Sequence, residues 1–102
     1  MLVHNVFFWL KSELTGEERE VFERGLQSLR GISAVREMFI GPPADTDRPV
    51  IDRSYSWALT VIFEDRAAHD RYQEDPLHDR FLEECSKYWD RVLIYDSVDG
   101  EK

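Results

Sequence analysis

The run Arg71-Tyr72-Gln73-Glu74-Asp75-Pro76-Leu77-His78-Asp79-Arg80-Phe81 stops one helix and starts another. Asp75 is a good N-cap, and Pro76 suits the first helical position, where a missing backbone N–H leaves no bond unmade. Beyond the break, Leu77, Phe81 and Cys85 recur every four residues and predict the buried stripe of the second helix. Ahead of it, Asp65 caps a short helix over 66–73 with Ala68 and Tyr72 turned inward. The break therefore holds a tyrosine and a histidine, Tyr72 and His78, on either side of one corner.

The segments flanking that corner read as strands. Downstream, 89–96 closes the chain, with Val92 and Ile94 on one face and Leu93 and Tyr95 on the other. Upstream, 54–63 alternates Tyr55, Trp57, Leu59, Val61 and Phe63 with smaller residues, so its bulky face is expected to meet the helices. Before it lies a polar loop over 44–53, and Pro42-Pro43 stops a strand over 35–41. Asp45, Asp47 and Asp52 of that loop lack the glycine turn and closing glutamate of a calcium loop. Thr15 and Glu18 form a capping-box pattern that opens a helix to about Arg30, with Val21, Phe22, Gly25, Leu26 and Leu29 as its apolar stripe. Gly25 predicts a close approach to the sheet, and Gly31 is the expected C′ residue. The first strand, 2–11, places His4, Val6, Phe8 and Leu10 on one face and Val3, Asn5, Phe7 and Trp9 on the other, so both faces are largely apolar.

The order βαββαβ is that of an α+β, ferredoxin-like plait with a four-stranded antiparallel sheet and helices on one face. The surplus apolar face predicts a homodimer through the helix-free side of the sheet, two sheets meeting as a dimeric α/β barrel. With 102 residues, a single domain over 1–102 is expected. Twenty-one acidic against 13 basic residues give a net charge of -8, which repels phosphate backbones and anionic membranes, so neither nucleic acid nor membrane is an expected partner. Cys85 is alone, so no internal disulfide forms. The first ten residues lack a basic leader and the length of a membrane span, and a cytoplasmic location is expected. Glu101 and Lys102 are expected to be a frayed tail.

Val3-His4-Asn5-Val6-Phe7-Phe8-Trp9-Leu10-Lys11, Ser54-Tyr55, and Tyr72…Asp75-Pro76-Leu77-His78 together resemble the Dabb family, the stress-responsive A/B barrel domain proteins. The resemblance covers nearly the whole chain. It implies a dimeric α+β barrel and a stress-response association. One plant member is a polyketide cyclase that closes a poly-β-keto chain by aldol condensation, and Tyr72 and His78 match its tyrosine and histidine at this corner. Trp57 stands where that cyclase has a further histidine, and Leu82 where it has glycine. Both replacements add bulk on the expected pocket side.

His78 falls near the third position of its helix, where the positive end of the helix dipole is expected to lower its pKa and leave a neutral imidazole fit to act as a base. Tyr72 then supplies a hydrogen bond to a carbonyl or enolate oxygen, which makes the pair a candidate for proton abstraction beside a carbonyl. His4, Phe8, Phe22, Leu26, Trp57, Leu59, Phe81, Val92 and Ile94 are the expected pocket and core residues around them. His69 is placed on the solvated side of its helix, and Cys85 reads as a buried small hydrophobe. No histidine pair has helical ligand spacing, so neither metal nor other cofactor is expected. The wider barrel superfamily offers a lower alternative, a cofactor-free or haem-degrading monooxygenase; for the haem-degrading kind Asn5 is the first-strand candidate. A third reading has no catalysis: a dimer that binds a small apolar molecule or a protein partner.

Overall fold

The first strand, β1 (Leu2–Leu10), is the axis of the sheet. It pairs antiparallel with β3 (Trp57–Phe63), from Leu2 opposite Phe63 to Phe8 opposite Trp57, and with β4 (Trp89–Val98), from Leu2 opposite Val98. β2 (Glu37–Gly41) adds to the far side of β3, so the order across the sheet is β2-β3-β1-β4. This is a four-stranded antiparallel, ferredoxin-like α+β sheet. The computed structural model describes residues 1–100, and the expected frayed tail at Glu101 and Lys102 lies outside them.

Three helices cover one face: α1 (Gly16–Ser28), α2 (Arg66–Gln73) and α3 (Pro76–Cys85). The Thr15 hydroxyl accepts from the Glu18 N–H, and the Glu18 carboxylate accepts from the Thr15 N–H, closing the capping box. Asp65 accepts from the Ala68 N–H and Asp75 from the Leu77 N–H, so each later helix is capped by the residue its sequence nominates. Phe22, Leu26, Leu29, Leu59, Val61, Phe63, Tyr72 and Phe81 are buried between the helices and the sheet. Cys85 is buried among them and unpaired.

Several boundaries differ from the sequence pattern for local reasons. β3 begins at Trp57 rather than 54: the Ser56 N–H still donates to the Phe8 carbonyl, but beyond it side chains take over, Ser56 Oγ accepting from the Leu10 N–H and Ser54 Oγ from Trp9 Nε1. β2 begins at Glu37 rather than 35 because the Val35 N–H turns back to the Ile32 carbonyl. Gly31 is not a left-handed cap; it ends a 3-10 turn over Leu29–Gly31, and Gly100 is the glycine with positive φ. Gly25 faces α3, not the sheet. A Cβ added there would stand 2.6 Å from Cys85 Sγ and 3.2 Å from Phe81 Cδ1. Gly25→Ala is therefore expected to destabilise the fold by about 1–2 kcal/mol, overpacking outweighing the gain in helix propensity. Urea denaturation measures it; equal or higher stability would show that α1 and α3 are not tightly packed.

The opposite face of the sheet carries no helix. Phe7 packs against Tyr55 and Tyr95, with ring centroids 5.0 and 6.4 Å away, and Arg91 lies over the Trp9 ring at 4.2 Å. Phe39 on the same side is 60% exposed. The accessible surface, 6668 Å², exceeds the roughly 6,000 Å² typical of a folded monomer of this mass. The excess fits a two-layer slab whose second sheet face is bare. Among the described residues, no helix is long and apolar enough to cross a membrane.

Candidate functional site

Tyr72 lies in the last turn of α2 and His78 in the first turn of α3, so the break between the helices brings both rings together. Their centroids are 5.0 Å apart, edge to face. They wall a cavity of about 240 Å³ between the helices and the sheet, together with His4, Val6, Phe8, Leu29, Leu59, Gln73, Phe81, Leu82, Trp89, Val92 and Ile94. The wall is mainly apolar, with four polar side chains, His4, Tyr72, Gln73 and His78, among its lining. Small-molecule sites have that composition, although at roughly 300–1,000 Å³ most are larger. Val92, Ile94 and Leu82 are 40%, 49% and 41% exposed, so the cavity opens to solvent between α3 and the β4 edge.

Burial sets the electrostatics. Tyr72 is 1% exposed, and desolvation pushes its phenol well above the ordinary tyrosine range, so it remains a hydrogen-bond donor. The His78 pKa is lowered, chiefly by burial; Asp79 and Asp75 oppose the shift, and His4 and His69 reinforce it. The expected direction thus holds, but desolvation is its leading cause rather than the helix dipole. His78 Nδ1 is buried and has no hydrogen-bond partner among the described residues. Most buried polar atoms are paired, and this exception belongs to a ring that lines the cavity.

His4 is 3% exposed and pairs through Nδ1 with Asp96 Oδ1. A carboxylate only accepts, so Nδ1 carries the proton and Nε2 is left with its lone pair. Burial lowers the His4 pKa more strongly than Asp96 raises it.

Six of the nine expected pocket and core residues, His4, Phe8, Leu59, Phe81, Val92 and Ile94, line the cavity with Tyr72 and His78. Phe22, Leu26 and Trp57 do not. Phe22 and Leu26 are fully buried in the core beneath α1, and Trp57 packs at the core margin where β3 begins. Only Leu82 of the two bulky replacements reaches the cavity. Trp89 was not foreseen: a register shift between Trp9 and Leu10 sets its position, and alternation along β4 does not reveal it. Its ring lies 5.0 Å from Phe8 and 5.8 Å from Phe81.

His69 is also placed differently from its expected solvated position. Its side chain is 15% exposed and its ring lies 5.2 Å from that of His4 and 5.6 Å from that of Phe63. Asn5 stands on the helix-free face, where its carbonyl accepts from Thr60 Oγ1 at 2.9 Å. It is on the opposite side of the sheet from the cavity, so the first-strand residue of the haem-degrading alternative does not join Tyr72 and His78.

His78 has a consequence for stability. Its neutral form is favoured in the folded chain, so unfolding takes up a proton between the lowered folded pKa and the ordinary 6.5. That contribution to stability is full above pH 6.5 and is lost as pH falls toward the folded value. The urea midpoint is expected to drop between pH 7.5 and 5.5, and His78→Leu should reduce the drop. An unchanged pH dependence in that variant would show that His78 is not desolvated.

The pattern of the Stress responsive A/B Barrel Domain, Dabb, matches residues 2–99, and the chain belongs to that family. A Dabb family protein with a ferredoxin-like fold from Mesorhizobium loti shares 26% identity, with a TM-score of 0.76 over 95% of this chain and 94% of that one. A hydroxynitrile lyase from Passiflora edulis aligns with a TM-score of 0.78 at 20% identity, over 99% and 94% of the two chains. A dimeric ferredoxin-like protein from Thermobifida fusca aligns at 0.77 with 16% identity, over 95% and 89%. The last two likenesses are of fold alone. No curated protein matches the chain.

Proposed function

We propose that the chain is a homodimeric Dabb protein that binds a small, largely apolar carbonyl compound in the cavity at Tyr72 and His78. The observation that carries this is the pairing of the His78 and Tyr72 rings, 5.0 Å apart, on the wall of a mainly apolar cavity. The Tyr72 hydroxyl donates to the carbonyl oxygen. Neutral His78 takes a proton from the adjacent carbon, and the oxygen of the resulting enolate keeps the Tyr72 hydrogen bond. The enolate carbon then either recovers the proton from His78 or attacks a second carbonyl, forming the carbon–carbon bond of an aldol closure. His78 gives up its proton to the new alkoxide. His4 is a binding residue of the same wall, held by Asp96. At about 240 Å³ the enclosed space suits a single ring or short chain, and a longer poly-β-keto chain would extend through the opening at β4.

The dimer forms through the helix-free face, supported by its aromatic residues and by neighbours of the same fold described as dimeric. The compound class is tested by titrating simple cyclic and aromatic ketones and following His78 imidazole signals by NMR. Saturable shifts are expected in the wild type and not in Leu82→Trp, whose indole blocks the opening. Absence of any shift, or equal shifts in Leu82→Trp, would remove the cavity as the binding site.

A further inference from the structure

The second feature at this end of the molecule shares His4 with the cavity wall and otherwise lies outside its lining. His4 on β1, His69 on α2 and Asp96 on β4 offer two imidazole nitrogens and a carboxylate oxygen that all lie within 4.8 Å of one another. Each comes from a different element, which is why no spacing in the sequence announces the group. Asp70 Oδ1 lies 3.0 Å from His69 Nδ1, and a carboxylate accepts only, so that nitrogen carries the proton. His69 Nε2 faces Asp96 Oδ2 at 3.8 Å, on the side of the ring turned away from Asp70. Two imidazoles and a carboxylate gathered this closely are the donor set of a borderline-soft divalent cation.

We propose that a divalent transition cation of the zinc class binds there, held by His4 Nδ1, His69 Nε2 and Asp96, with solvent in a fourth position. The 3.8 Å separation is close to the spacing of about 3.3 Å between neighbouring ligands of a tetrahedral zinc with bonds of about 2.0–2.1 Å. Asp96 is 42% exposed on an edge strand, free to close the difference. Asp70 behind His69 is the carboxylate that orients and fixes the tautomer of a metal-binding imidazole. In exchanging its Asp96 hydrogen bond for the metal, His4 moves its proton from Nδ1 to Nε2, with no net release. Access is through an open cleft of about 320 Å³ lined by Leu2, Arg66, His69, Asp96, Ser97 and Val98. Arg66 is the opposing charge in that cleft, and its Nε pairs with Asp70 at 3.3 Å. The site shares His4 with the cavity wall but uses neither Tyr72 nor His78.

Calorimetric titration of zinc chloride into the untagged, chelator-treated chain tests it, with thermal unfolding as a second readout. One zinc per chain is expected, with a rise in Tm. His69→Gln and Asp96→Asn, each checked for folding by circular dichroism, should weaken binding at least tenfold and abolish the rise. His78→Ala should bind zinc as the wild type does. The site is overturned by absence of binding in the wild type. Weak, multi-site binding of equal strength in all variants would also overturn it, as would loss of binding in His78→Ala alone. If only one of His69→Gln and Asp96→Asn folds, that variant decides.

Discussion

His78→Ala is expected to slow proton exchange at the carbon beside a bound carbonyl by about 10²–10⁴-fold, the usual contribution of a positioned general base. Deuterium incorporation from heavy water, followed by NMR, reads the effect directly. Ligand affinity should change by only a few-fold, because the apolar wall from β1, β3, β4 and α3 remains. The fold should survive, since the substitution removes a buried nitrogen that has no partner. Tyr72→Phe separates the two roles: the base remains, but the enolate oxygen loses its donor, so exchange falls while His78 stays neutral. Undiminished exchange in His78→Ala would take the histidine out of the chemistry. Loss of affinity to the same degree as exchange would make it a wall residue.

Phe7→Glu should convert the protein from dimer to monomer at micromolar concentration. Phe7 sits mid-strand on the helix-free face between Tyr55 and Tyr95. A two-fold dimer through this face buries the substituted carboxylate twice, once from each copy. Burying a charge without a partner costs several kcal/mol, so the dissociation constant should rise on the order of 10³-fold or more. Sedimentation equilibrium distinguishes the outcomes. A variant that remains dimeric would place the interface elsewhere, and a monomeric wild type would leave the aromatic face without its proposed partner. The helix-side core does not touch Phe7, so the monomer should keep its circular dichroism spectrum.

Helix caps and strand faces were legible because each depends on residues close in sequence. Asp65, Asp75 and Thr15 all cap as their positions imply, and Tyr72 and His78 meet because the break between α2 and α3 is only a few residues long. Long-range packing was less legible. Gly25 signals a close approach, but nothing local says whether the sheet or α3 lies opposite, and Cys85 is what fills the space. His69 reads as a surface residue on its helix, yet the ends of β1 and β4 bring His4 and Asp96 beside it. That cluster depends on the pairing of His4 with Asp96 across two strands at opposite ends of the chain. Trp57 and Trp89 exchange their expected importance for a related reason. One lies at the first residue of a strand that begins late, and the other sits where a register shift directs it beside Phe8.

The cavity at Tyr72 and His78 is proposed to receive an enolisable carbonyl compound. A crystal structure with a phenol-type enolate mimic bound tests it most directly. The phenolic oxygen is expected within hydrogen-bond distance of the Tyr72 hydroxyl, with the ring carbon beside it facing the His78 imidazole and the ring against Phe8 and Trp89. A mimic found only in the cleft beside Arg66, on the helix-free face, or in the cavity with its oxygen turned away from both side chains would contradict it.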